Sequence, residues 1–226
     1  MLHPGAFTPS NPAAFLVQLH AAFAPPITIG NFALGGQVAG FGADAEAALR
    51  QAKMTWVKRQ VVWGPGSNAS DHIGLIVDAH NRGFKILLSV KGDPANTRPE
   101  LFPEYAAFVA GLAAGGADAI EGWKEENITR EWAAGQINPA TYTSMLQQAY
   151  IAIKAANPNT LVISGGPAPT GFFGGGCTPN GCDDLPYIQG MVNAGALNYM
   201  DCLGIHYNEG LLPPAATSGD PRGFGG

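Results

Sequence analysis

Two adjacent carboxylates, Glu125 and Glu126, follow a tryptophan and a lysine where an apolar run ends, in ADAIEGWKEENITREW, Ala117 to Trp132. Only 13% of the 226 residues are Asp, Glu, Lys or Arg, so charges gathered directly after an apolar strand need a reason. Three other apolar segments carry similar groups. TWVKRQVVW holds Lys58, Arg59 and Gln60 before Trp63. FKILLSVKGD ends in Lys91 and Asp93, and YMDCLGIHYNEG ends in His206, Tyr207, Asn208 and Glu209. Carboxylates beside aromatic, amide and imidazole groups suit sugar chemistry. One acid protonates a glycosidic oxygen, and a second carboxylate attacks or activates water. Aromatic faces cover the C–H faces of a pyranose. The sequence has no nucleophile elbow in a Ser-His-Asp order and no phosphate-cradling loop.

Those groups need elements to hold them. β-Branched and aromatic runs predict strands at Asn31 to Val38, Thr55 to Trp63, Phe84 to Val90, Ala117 to Trp123, Thr160 to Gly165 and Tyr199 to Tyr207. Helical periodicity fills the gaps. Ser70 is the expected cap of a helix whose face carries Ile73, Ile76, Val77 and His80, and Gly83 stops it. The strongest helix follows Asn138 as cap and Pro139 in the first turn, with Tyr142, Met145, Leu146, Ala149 and Ile153 on one face. Regular β–α alternation predicts parallel strands with right-handed crossovers. An open doubly wound sheet and a closed barrel both satisfy it. No G-x-G-x-x-G fingerprint follows the first strand, which lowers the nucleotide-binding sheet. In either closure, chemistry sits at the C-terminal ends of the strands, where the groups above fall.

Composition bounds the partners. With 46% apolar residues the chain can build a large core. The formal net charge is −5 without a Lys/Arg stripe, so nucleic acid is not an expected partner. There is no membrane span, and MLHPGAFTPSNPAAF does not read as a signal peptide. Cys177 and Cys182 flank Thr-Pro-Asn-Gly and either form a disulfide or stay free thiols; a disulfide favours an extracellular protein. No second Cys/His pair sits at zinc-ligand spacing, so no metal is expected.

IEGWKEENI resembles the fourth-strand Trp-Asn-Glu motif of the clan A glycoside hydrolases, in which the Glu is the acid/base. GIHYNEG resembles their sixth-strand end, and VKRQV their second strand, whose Arg supports the nucleophile. The likeness runs from about residue 30 to 210 and is nearest to the family 5 and family 39 types. It implies an α/β fold, a TIM-type (β/α) barrel, and hydrolysis of a β-linked oligo- or polysaccharide with retention. Glu125 is then the acid/base, Arg59 a support, and His206 and Tyr207 line the site. Trp63, Trp123, Lys124 and Asn127 complete the expected carbohydrate contacts. No cofactor is implied, since two carboxylates suffice.

Two departures stand out. Lys124 replaces the motif's Asn, and a cation beside Glu125 favours the carboxylate, where a general acid needs its proton. The pattern also stops after about six βα units. The expected organisation is an N-terminal extension at 1–30 and a single barrel-like catalytic domain at 31–226 lacking the last two strands. The nucleophile then comes from Glu209, from a partner chain, or from nowhere. An incomplete barrel exposes two sheet edges, which a homo-oligomer or the first thirty residues would cover. The alternatives are a degenerate carbohydrate-binding protein without turnover, and an esterase using Ser164 or Ser89. Glu126 is expected at the surface and Lys91 as an exposed rim charge. The glycosidase reading requires Glu125 to face a sugar-sized hollow at the barrel mouth.

Overall fold

Strand order separates the two closures. The computed structural model describes residues 32–207; the expected N-terminal extension and Glu209 lie outside the described residues. The elements run β1 (Gly35–Gln37), α1 (Ala43–Gln51), β2 (Trp56–Trp63), α2 (Ile73–Asn81), β3 (Lys85–Gly92), α3 (Phe102–Ala114), β4 (Ala119–Gly122), α4 (Pro139–Ala156) and β5 (Leu161–Ser164). A short ribbon, β6 (Cys177–Thr178) with β7 (Gly181–Cys182), then leads into α5 (Asp184–Asn193). The sheet order is β1-β2-β3-β4-β5, every pair parallel. A doubly wound sheet reverses its order at a switch point. Here each strand pairs with the next, as in a barrel. The chain has an α/β fold, and its described part is a partial (β/α) barrel.

Register assigns the faces. Lys58, Leu87, Ala119 and Leu161 form one row across β2 to β5, and Gln60, Ser89, Glu121 and Ile163 form another. These point to the barrel interior. The alternate positions Val57, Val61, Ile86, Leu88, Val90, Ile120 and Val162 are buried against the helices. Each such side chain contributes about 1.5–3 kcal/mol through burial.

The helices follow their local signals where those are strong. Asn138 Oδ1 accepts from the backbone N–H groups of Ala140 and Thr141 at 2.8 and 3.4 Å, and all five apolar residues expected on the α4 face are buried. Ser70 is not the cap of α2. Asn68 accepts from Ser70 N at 3.1 Å and opens a 3₁₀ turn, Ala69–His72, so the α-helix starts later and Val77 is left exposed. Gly83, at φ +75°, ends it as expected. No helix among the described residues is long and apolar enough to cross a membrane.

The sixth expected strand is reduced to one parallel bridge between Ile163 and Cys202. Ser164 N donates to Cys202 O at 3.1 Å, but the N–H of Gly204 goes to the Ser164 hydroxyl at 2.9 Å. A side chain thus takes the donor that would have extended the ladder. The crossing is so close that a Cβ on Gly204 would lie 2.2 Å from Ser164 O. Cys177 and Cys182 are joined as a disulfide across the ribbon.

Tyr142 ties the top of β4 to that of β5. Its buried hydroxyl donates to Gly122 O at 2.8 Å and accepts from Gly165 N at 2.6 Å. Tyr142→Phe strands both backbone groups away from water. We expect it to lower unfolding free energy by about 2 kcal/mol, read from urea denaturation; a change under a few tenths would remove this clamp.

Candidate active site

β4 ends at Gly122 and the backbone immediately becomes unusual. Trp123 and Glu125 sit at φ +73° and +47°, left-handed values that among the described non-glycine residues recur only at Lys53. Each costs about 1–3 kcal/mol unless its surroundings impose it. Here they do. Trp123 N donates to Val90 O at 2.9 Å, its indole to Glu131 O at 2.7 Å, and Glu125 N to Gly166 O at 2.9 Å. The twist sends the two neighbouring carboxylates into different surroundings.

Glu125 stays at the strand ends. Its Oε1 meets His206 Nδ1 at 3.1 Å, and its Oε2 is bonded by Arg130. His206 reaches a second acid on its other side, with Nε2 at 3.7 Å from Glu121 Oε1. Lys58 Nζ lies 2.5 Å from Glu121 Oε2. One imidazole therefore bridges two carboxylates, one inside the barrel and one at its mouth. The Gly165–Gly166 turn makes room for this. A Cβ on Gly166 would sit 2.6 Å from His206 Cδ2, and one on Gly165 2.5 Å from Glu126 Oε2.

The electrostatics follow from these contacts. The hydrogen bond from His206, reinforced by Arg130, holds the Glu125 carboxyl down at about 2 against partial burial. Burial pushes Glu121 up, but His206, Lys58 and Ser89 outweigh it, and the group lies below the usual range. Glu121 first and Glu125 second raise His206 to about 9, so it is an imidazolium at neutral pH. Because its pKa is raised, the stability it contributes is present below about pH 6.5 and lost as pH rises through 9. An NMR titration should place the His206 midpoint near 9, with Glu121→Gln and Glu125→Gln each moving it down. A midpoint near 6.5 in the unmodified protein would dissolve the bridge.

Glu126 is not the surface acid expected. It is fully buried, and neither oxygen has a hydrogen-bond partner among the described residues. Burial, with the charges of Glu121 and Glu125, raises it to about 8. Asn127 is buried too, and serves the fold instead of a ligand. Its Nδ2 donates to Ala168 O and Cys182 O, both at 2.9 Å, and its Oδ1 accepts from Ala168 N at 2.7 Å. It pins the ribbon loop to the end of β4.

The other expected contacts divide. Trp63 and Trp123 are buried, together with Trp132, in a row of rings: Trp63–Tyr105 at 5.2 Å, Tyr105–Trp123 at 5.8 Å and Trp123–Trp132 at 6.0 Å between centroids. They pack the helices onto the strand ends and offer no free face to a sugar. Arg59 shares the strand face of Val57 and Val61, opposite to that of Lys58, so its side chain leaves β2 away from the Glu121 row. Tyr207 is exposed. Lys124 does reach the mouth, 3.5 Å from Glu131 Oε1. Lys91, expected as a free rim charge, is paired with the buried Glu131 at 2.6 Å.

Glu121, Arg130 and Glu131 were not among the expected site residues, and Lys58 was read as a strand-end group without a role. An acid within the otherwise apolar AIEG strand was the available signal for Glu121, since a buried charge needs a partner. A cavity of about 380 Å³ lies in the barrel interior, bounded by Gly35, Gln37, Trp56, Lys58, Ala119 and Ile163 among others; Glu125 is not in its wall. The hollow expected directly at Glu125 is therefore not this one. Among the described residues, no group of three His, Cys, Asp or Glu side chains is placed to hold a metal ion.

No protein-family model matches the sequence, and no curated protein matches it. Solved structures do match in shape. A glucosidase from Croceicoccus marinus superposes with a TM-score of 0.53 at 15% identity, covering 75% of this chain and 42% of that one. The catalytic domain of a Pyrococcus furiosus chitinase gives 0.42 at 12% identity over 70% of this chain and 51% of its own. An enolase from Bradyrhizobium gives 0.37 at 16%, over 83% and 40%. The first likeness shows the fold alone, and the other two scores are too low to bear on it. The chain spans less than half the length of the glucosidase.

Proposed function

We propose that the chain carries the acid/base half of a retaining glycoside hydrolase acting on β-linked saccharides. The observation that carries this is Glu125, held on left-handed backbone at the C-terminal end of β4 and bonded by His206 from the sixth strand position. In that role Glu125 gives a proton to the leaving glycosidic oxygen and later takes one from water. His206 and the Gly166 carbonyl orient it. Glu209, three residues beyond His206 in the sequence, is our assignment for the second carboxylate. The disulfide supports an extracellular location, where such bonds persist.

The test is stereochemical. Proton NMR of a β-linked oligosaccharide digest should show the β-anomer as first product, before mutarotation. A first-formed α-anomer would mean inversion and would remove the double displacement. A second reading, saccharide binding without turnover, is favoured by one observation. Glu125 is held as a carboxylate by two cationic partners, a poor state for a general acid. Oligosaccharide binding with no cleavage at any pH would select it.

A further inference from the structure

Three cations share two carboxylates at the rim of the site. Glu131, buried, faces three cations: Lys91 Nζ at 2.6 Å, Lys124 Nζ at 3.5 Å and Arg130 Nε at 3.6 Å. Arg130 also bonds Glu125. Below them, Lys58 and His206 share Glu121. At the rim, Lys91, Lys124 and Arg130 thus share two carboxylates, Glu125 and Glu131. Arg and Lys are the side chains that bind carboxylate and sulfate oxygens, and three of them on two acids leave capacity for a further anion.

Arg130 is the most exposed of these cations. Its side chain is 67% exposed, while the two carboxylates it touches are at most 6% exposed, so it is the cation an arriving ligand meets first. Lys124 stands where the resembling motif has Asn, and an ammonium suits an anion better than it suits a neutral hydroxyl that must both give and accept.

We propose that this mouth recognises an acidic sugar, a pyranose bearing a carboxylate or a sulfate ester, whose anion binds Arg130 and Lys124 and draws Arg130 off Glu125. The inference rests on the glycosidase reading and deepens it. With Arg130 engaged by substrate, Glu125 loses one of the two cations that keep it ionised. It can then take a proton from solvent and donate it to the leaving oxygen as the C1–O bond breaks and the second carboxylate of the retaining reaction bonds C1. An ungated neutral sugar leaves Glu125 clasped. The site selects its substrate by charge before it acts.

The experiment uses the full chain and three oligosaccharides of one β-1,4 backbone: a cello-oligosaccharide, its C6-carboxylate counterpart and its O6-sulfate. Calorimetric titration at low salt should show the carboxylate or the sulfate binding at least about tenfold more tightly than the neutral chain. Which of the two binds tighter assigns the anion. The preference should shrink to about threefold or less in Arg130→Gln/Lys124→Gln, with circular dichroism unchanged, and weaken as salt is added. With the tighter ligand bound, the ¹³C-labelled Glu125 carboxyl should titrate above its position in the free protein. Equal or tighter binding of the neutral chain overturns the proposal and leaves the glycosidase reading standing. An unmoved Glu125 titration overturns the displacement of Arg130. Failure of all three saccharides to bind overturns both readings together.

Discussion

Glu125→Gln is expected to lower kcat/KM on an unactivated β-linked oligosaccharide by about 10³-fold, the ordinary worth of a positioned acid/base. The amide keeps the size of the carboxylate and can still accept from His206, so the site's shape survives the change. What goes is the acidic proton. An oligosaccharide is the informative substrate because its leaving oxygen needs that proton, whereas a nitrophenolate leaves without help. Circular dichroism should be unaltered and saccharide affinity should stay within a few-fold. Activity within tenfold of the unmodified protein would falsify the acid/base assignment.

Glu126→Gln should have the opposite kind of effect, on stability and not on chemistry. Glu126 is raised from an ordinary 4.5 to about 8 because it is fully buried without a hydrogen-bond partner among the described residues. The native state therefore holds its proton more tightly than the unfolded chain does. Unfolding releases that proton between about pH 4.5 and 8, so stability falls as pH rises through this window. The full displacement is on the order of 5 kcal/mol at pH 8. A neutral amide removes it. The Tm of Glu126→Gln should exceed that of the unmodified protein by on the order of 10 °C at pH 8, and by little at pH 5. His206 also loses its contribution toward pH 9, but it is present in both proteins and cancels in the difference. The depressed acids Glu121 and Glu125 act at the other end, their contribution being lost as pH falls below the usual carboxylate range. Parallel Tm–pH curves for the two proteins would show that Glu126 is solvated.

Several features of the site were readable in the sequence and several were not, for identifiable reasons. Glu125 and His206 lie in short motifs at strand ends, and strand ends are where parallel folds place their chemistry. Glu126 was misassigned because strand alternation gives no guidance past Gly122, where left-handed Trp123 and Glu125 break the period of two. The tryptophans were assigned to sugar because indole suits both a sugar and a core. Their choice of the core came from contacts with Tyr105 on α3 and Tyr142 on α4, far away in sequence. Arg130 and Glu131 follow the motif in a stretch with no periodic pattern, and their partners Lys91 and Glu125 come from two different strand ends.

What the amino-acid sequence determined by itself was local. Its periods set five parallel strands and the helices between them, its Asn138-Pro139 pair started α4, and its Gly83 ended α2. These depend on near neighbours along the chain, where spacing is information enough. The sequential strand order of a barrel was implied by the resemblance of three motifs, and the structure bears it out. Tertiary structure alone decided that His206 bridges Glu121 and Glu125, and that Glu126 keeps its proton while Glu125 loses it. Charge state depends on burial and on the partners within a few ångströms. Two side chains adjacent in sequence can therefore be shifted in opposite directions once the backbone turns them into different surroundings.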